Sequence, residues 1–218
     1  MNVTTKLLRG DIFRKTRAHS EKGTLGMAGA VDLADAARSF TSHLVRLATG
    51  RLPRLPWLTY GAIRYLDKNL PANARVFEFG GGMSTLWYED RFDEVHTVED
   101  NPEWCVKLKA QVRRAKVYHN RGESFIASIS NFPLDYFDLV VVDGNLDRKL
   151  CFHRAEPHLK VGGLFVIDDS DKGQLMGGPI LELDCWLEGS ERYSIKRFTG
   201  WIPGSFWVKE TTIAKRLS

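Results

Sequence analysis

Apolar positions along this chain recur in two periods, and the change of period marks its parts. Leu33, Ala37, Phe40, Leu44 and Leu47 are spaced by four, three, four and three, which lays one apolar stripe along a helix. Asp32 is the expected N-cap, and Gly50 with Pro53 the stop. The stripe is too short for an independent coiled coil, so it is expected to pack on its own domain or on a second copy of the chain. Residues 1–28 hold no sustained period, and Gly23 and Gly26 mark a loop or tail.

A second helical segment covers 57–70, with Leu58, Ala62, Leu66 and Leu70 on one face and Pro71 behind it. From there strands and helices alternate. The predicted strands are 75–79, 94–99, 116–119, 137–143 and 163–168, and helices are expected to start near Met83, Pro102, Ser124, Asp147 and Gln174. Asn101 or Asp100 would cap the helix at Pro102. Leu139, Val140, Val141 and Val142 form a continuous apolar run, as in a central parallel strand covered on both faces. The alternation predicts an α/β fold with a doubly wound, mostly parallel sheet. Segments 193–198 and 206–212 flank Gly200 and Gly204 and read as a hairpin that adds an antiparallel strand at one sheet edge.

With 218 residues, 43% of them hydrophobic, there is enough chain for one sizeable core and too little for two ordinary α/β domains. The expected division is a helical extension over 1–56 and one domain over 57–218. The net charge of +4 is unevenly spread: the extension holds ten Lys and Arg against Asp11, Glu21, Asp32 and Asp35, while the remainder has 21 basic and 23 acidic residues. A basic arm of this kind steers toward nucleic acid, a polyanionic glycan or a membrane surface, or is a solvated helix face. Cys105, Cys151 and Cys185 are odd in number and widely spaced, which suggests neither a disulfide framework nor a zinc site and fits a reducing cytoplasm. No run is long enough to span a bilayer, and the N-terminus lacks the apolar block of a secretory signal.

Ligands of doubly wound sheets sit beyond the C-terminal ends of the strands. Those ends carry Glu78 with Gly80, Gly81 and Gly82, then Glu99 with Asp100, then Glu123 with Ser124, Asp143, and Asp168 with Asp169. The glycine turn fits GxGxxT from Gly80 to Thr85, and lacks the third glycine of dinucleotide enzymes. Such a turn lets backbone approach a ligand and is expected to present amide hydrogens at a helix start, near Ser84. Glu99 follows Gly80 by 19 residues, close to the spacing at which an acid meets ribose hydroxyls.

The order VFEFGGGMST, VHTVEDNPEW, FDLVVVDG and LKVGGLFVIDDSD resembles class I S-adenosylmethionine-dependent methyltransferases over roughly residues 57–213. The resemblance implies a Rossmann-like sheet of seven strands with the last antiparallel, and S-adenosyl-L-methionine (SAM) as cofactor. It would place Glu78, Gly80 to Gly82 and Ser84 at the methionine moiety, Glu99 on the ribose and Glu123 or Ser124 at the adenine. Asp143 would face the cofactor's amino group or the reaction centre. The charge agrees, because a sulfonium cofactor is cationic and carries no phosphate.

The closer likeness is to small catechol-type O-methyltransferases, in which acids ending the fourth and fifth strands hold Mg2+ that acidifies the acceptor hydroxyl. Asp143, Asp168 and Asp169 stand at those positions, but the lysine that serves as base there is Leu146 here. Without metal, Asp143, Asp169 or Asp171 would serve as base by position, ahead of His153 and His158. The segment from Asp169 to Gly178 is a candidate lid, and Trp201, Phe206 and Trp207 either line the acceptor pocket or pack on the core. The expectation is methyl transfer to a hydroxyl of a small molecule or sugar. Its rivals are an aminopropyltransferase, a nicotinamide enzyme, which the GxGxxT turn disfavours, and a non-catalytic binding protein acting on nucleic acid or a partner subunit.

Overall fold

In the computed structural model, which describes residues 30–143, 147–171 and 178–218 without the side chains of 30–32, seven strands form one sheet. They are β1 (Arg75–Phe79), β2 (Glu94–Glu99), β3 (Lys116–His119), β4 (Phe137–Val142), β5 (Leu159–Asp168), β6 (Tyr193–Ile202) and β7 (Ser205–Arg216). Their order is β3-β2-β1-β4-β5-β7-β6, with β1 to β5 parallel and β7 antiparallel to both its neighbours. The basic arm before residue 30, residues 144–146 and most of the candidate lid, including Gly173, Gln174 and Gly177, lie outside the described residues.

Successive β4 residues serve opposite layers: Val140 and Val142 join Phe77, Phe79, Phe152 and Phe165 on one side, while Leu139 and Val141 join Val76, Leu66 and Trp87 on the other. This is the two-faced burial that its unbroken apolar run predicts. Two strand expectations need correction. β5 starts at Leu159, because Gly162, at φ 86°, lets the chain bulge and the pairing with β4 jumps from Phe137↔Leu159 to Leu139↔Leu164. The reversed strand is also not at the edge. β7 is buried at Val208, Lys209 and Thr211 to Ala214, so it lies inside the sheet, and its half-exposed hairpin partner β6 takes the edge.

The helices are α1 (Ala30–Thr49), α2 (Tyr60–Asn69), α3 (Met83–Glu89), α4 (Pro102–Lys109), α5 (Glu123–Ile126), α6 (Arg148–Ala155) and α7 (Pro179–Glu188). Caps explain several starts. Thr59 accepts from Ala62 N at 3.3 Å, Asn101 from Trp104 N at 2.9 Å with Pro102 in the first turn, and Asp147 from Lys149 N at 2.9 Å.

α1 differs from the expected cap and from packing of its apolar stripe on its own domain. It reaches back to Ala30, so Asp32 lies within it and is not its cap. Its apolar stripe is largely left open: Leu33, Phe40, Leu44 and Leu47 are 61, 41, 41 and 60% exposed, and of these Phe40 meets Phe206 of the domain edge-on. The buried side is polar and has the same period, Asp35, Ser39, Ser42, Arg46. Arg64 grips Asp35 with two hydrogen bonds of 2.8 Å, Ser39 Oγ donates to Ser205 O at 2.8 Å, Arg46 to Ser205 Oγ at 2.8 Å, and Gly204 N to Ser42 Oγ at 2.9 Å. Side chain–backbone bonds to the β6–β7 turn therefore hold α1 where apolar packing was expected.

Candidate active site

β1 runs out at Phe79 and the chain turns through Gly80, Gly81 and Gly82 into α3. Gly80 has φ 91°, which an L side chain rarely adopts. At Gly81 the reason for glycine is packing, since a Cβ there would lie 2.6 Å from both Leu108 Cδ2 and Thr97 Cγ2. The amides of the turn are all spent within the protein. Gly80 N donates to Val98 O at 2.8 Å, Gly81 N to Glu99 Oε2 at 2.9 Å and Gly82 N to Thr85 Oγ1 at 3.1 Å, while Trp104 Nε1 donates to Gly81 O at 2.8 Å. The amides of Gly80, Gly81 and Gly82 are therefore committed within the protein, and this stretch stands as a wall beside the cavity.

Behind this wall Glu78 is almost fully buried, at 1% exposure. Its carboxyl accepts from the hydroxyls of Ser84, of Thr85 at 2.5 Å and of Thr97 at 2.9 Å. Burial pushes its pKa up to about 7, against the pull of these hydroxyls and with help from the negative charge of Asp143. A cavity of about 330 Å³ opens here. Glu78, the glycine turn, Ser84 and Asp143 line one side of it, and Leu52, Leu55, Pro56, Trp57 and Leu58 the other.

Two buried polar atoms have no hydrogen-bond partner among the described residues: Tyr88 Oη, on a residue that lines the cavity, and Trp57 Nε1, which sits against the backbone at Gly204. A buried orphan donor is costly, about 1–3 kcal/mol, unless a ligand completes it. For Tyr88, burial and then the charges of Glu78, Asp143 and Asp168 hold the phenol well above its ordinary pKa, so it is a hydrogen-bond donor. Sequence reading missed both residues. Tyr88 falls in an apolar helix stretch, Leu86-Trp87-Tyr88, that looks like core alone.

Glu99 ends β2 with one oxygen on Gly81 N and the other on Asn101 N, each at 2.9 Å, and so ties the turn to α4. Burial raises its carboxyl, with the two amides pulling against it. Glu123 and Ser124 are not brought to the cavity. Glu123 is exposed and pairs with Arg154 at 3.1 Å, and Ser124 Oγ is bound to Arg121 O at 2.7 Å. Asp143 lines the cavity and pairs with Arg148 at 3.1 Å. Trp201 stacks on Phe206 with ring centroids 4.6 Å apart, and Phe206 meets Phe40 of α1, so these two aromatics pack outside the cavity. His158 Nδ1 is 3.0 Å from Pro133 O, and His153 packs edge-on against Trp186, both as parts of the scaffold.

The fifth-strand acids meet a cation of the protein itself. Lys209 Nζ is bonded to Asp168 Oδ2 and lies 3.3 Å from Asp169 Oδ1, with the side chains of Lys209 and Asp168 only 4% and 3% exposed. Burial pulls the Lys209 pKa down, but the carboxylates of Asp168, Asp169 and Asp143 outweigh it and leave the ammonium above the ordinary lysine value. Asp169 adopts φ 52°, and Asp171 Oδ1 accepts from Glu210 N at 3.3 Å. Among the described residues no group of three or more His, Cys, Asp or Glu is arranged to hold a metal ion. With an ammonium between Asp168 and Asp169, the donor set does not fit Mg2+. The signal was present in sequence: Lys209 shares a strand face with Thr211 and Ile213, both buried, which is a rare place for an unpaired lysine.

No protein-family model matches the sequence, and no curated protein matches it. Solved structures do resemble the fold. The O-methyltransferase from Bacillus cereus in complex with SAH aligns over 86% of this chain and 97% of its own, with 17% identity and a TM-score of 0.63. TomG from Streptomyces achromogenes, an O-methyltransferase involved in tomaymycin synthesis and bound to SAM, aligns over 87% and 97%, with 17% identity and a TM-score of 0.62. A methyltransferase from Geobacter sulfurreducens aligns over 82% and 88%, with 10% identity and a TM-score of 0.57. The chain thus has the Rossmann-like methyltransferase fold: a seven-stranded, mostly parallel sheet with β7 reversed, flanked by helices and preceded by an N-terminal helix. Among the described residues no helix is long and apolar enough to cross a membrane.

Proposed function

We propose that the protein binds SAM at the glycine turn and transfers its methyl group to a hydroxyl oxygen of a small molecule or sugar. One observation carries this reading. The turn has spent its amides internally and stands beside the carboxylates of Glu78 and Asp143, a wall suited to a cation without phosphate and unsuited to a pyrophosphate. Glu78 and Asp143 would face the cofactor's amino and sulfonium end, and Glu99 its ribose. When bound, SAM supplies an electrophilic methyl group on sulfur. The residues of the chain contribute alignment and a dry cavity, with Leu52, Leu55, Trp57 and Leu58 excluding water from the acceptor side. Asp143, which lines the cavity, would take the acceptor's proton. The similar structures, two of them O-methyltransferases, support the same class of reaction.

Calorimetry tests the reading: folded protein should bind SAM in the micromolar to millimolar range, and an absence of binding at about 1 mM would sink it. Tyr88→Phe separates ligand role from packing. Removing the orphan hydroxyl should leave the protein as stable or up to about 1 kcal/mol more stable in urea melts, while SAM affinity or methyl transfer drops by about tenfold. A variant that keeps full affinity and rate removes Tyr88 from the site.

We also infer that the exposed stripe of α1 pairs with a second copy of the chain. A 20-residue helix with a row of apolar side chains along it is self-complementary about a two-fold axis. Leu44→Glu within the row should convert a dimer to a monomer in sedimentation velocity, and a wild type that sediments as a monomer at about 100 μM would dispose of the pairing.

A further inference from the structure

We propose that Lys209 replaces a divalent ion at the ends of β4 and β5, so that the Asp143, Asp168 and Asp169 cluster works without metal. The ladder brings the lysine there. Asp168 pairs with Thr211 across the antiparallel β5–β7 contact, and Lys209, two residues before Thr211 on the same strand face, reaches just past the end of β5. Its ammonium is bonded to Asp168 Oδ2 and sits 3.3 Å from Asp169 Oδ1, and the other oxygen of Asp168 accepts from Thr211 Oγ1 at 3.3 Å. Arg148 closes the other end, donating to the backbone oxygen of Asp168 and to Asp143 Oδ1 at 3.1 Å. Two fixed cations thus face three carboxylates. Magnesium requires near-octahedral oxygen ligands at about 2.0–2.1 Å, and the fork in which those oxygens would meet is filled by Nζ. A dication would also be set beside an ammonium whose side chain is only 4% exposed.

The inference uses the methyltransferase reading only to say which position a metal would take, and its test reads the cluster whether or not methyl transfer occurs. Mn2+ is titrated into the full chain and free ion is followed by electron paramagnetic resonance. Wild type should show no binding at the cluster below about 1 mM. Lys209→Met, shown to be folded by circular dichroism, should gain Mn2+ affinity by at least about tenfold, because the three carboxylates lose their ammonium. Sub-millimolar binding to wild type that Asp168→Asn abolishes would overturn the proposal, as would a folded Lys209→Met protein that gains nothing. Binding that survives Asp168→Asn lies elsewhere on the surface and supports the proposal by leaving the cluster empty. Should Lys209→Met fail to fold, the wild-type titration with its Asp168→Asn control decides alone.

Discussion

Glu99→Ala is expected to weaken SAM binding by about 100-fold. A carboxylate bonded to both ribose hydroxyls contributes about 1.5 kcal/mol or more per bond, so losing two costs about 3 kcal/mol, a factor of about 100. The same substitution orphans the amides of Gly81 and Asn101, which now rest on Glu99 at 2.9 Å each, so the turn loosens as well. Both effects point the same way for affinity, and Glu99→Gln, which keeps an acceptor oxygen, should recover part of the loss. Isothermal titration at a temperature where circular dichroism shows the variant folded checks this. An affinity within about threefold of wild type would take Glu99 out of the cofactor site.

A second large effect is a pH dependence centred on Glu78. Its pKa of about 7 in the fold lies above the ordinary carboxylate value of 4.5, so folding favours the protonated form. The stability this gives is complete below about pH 4.5 and is lost as pH rises through about 7, a change of about 3 kcal/mol. Cofactor affinity runs the other way. A cationic ligand needs Glu78 ionised, so SAM should bind about tenfold more tightly per pH unit up to about 7 and level off above it, with a proton released on binding. Glu78→Gln should flatten both curves. Titrations in buffers of different ionisation enthalpy count the proton, and a flat affinity profile in wild type would mean that Glu78 does not meet the cofactor.

The sheet was legible because its strands are short runs bounded by turn residues and because β4 announces burial on both faces. β1, β2 and β3 come out to the residue. β5 and the hairpin were read short, since bulge glycines and half-exposed edge positions interrupt the apolar pattern without ending the strand. The strand-end acids could be listed from sequence, but not their orientation: Glu123 turns to Arg154, and Asp168 and Asp169 turn to Lys209. What sequence periodicity could not reveal was which side of α1 faces inward. Apolar and polar stripes repeat alike there, and the polar one wins through specific bonds to the backbone at Gly204 and Ser205.

The segment between α1 and α2 has a practical meaning for anyone trimming the protein. A chain begun at residue 57, where the sequence suggests a domain border, would keep every strand and every acid of the sheet. It would lack Leu52, Leu55 and Pro56, which close the cavity opposite Glu78, and Pro53, whose ring would sit only 3.1 Å from a Cβ at Gly204. Such a fragment would leave the proposed cofactor wall without a roof, with the cavity open to water on that side. A fragment that keeps the whole cavity wall therefore begins before Leu52, and one that begins before α1 also keeps the bonds between that helix and the hairpin turn.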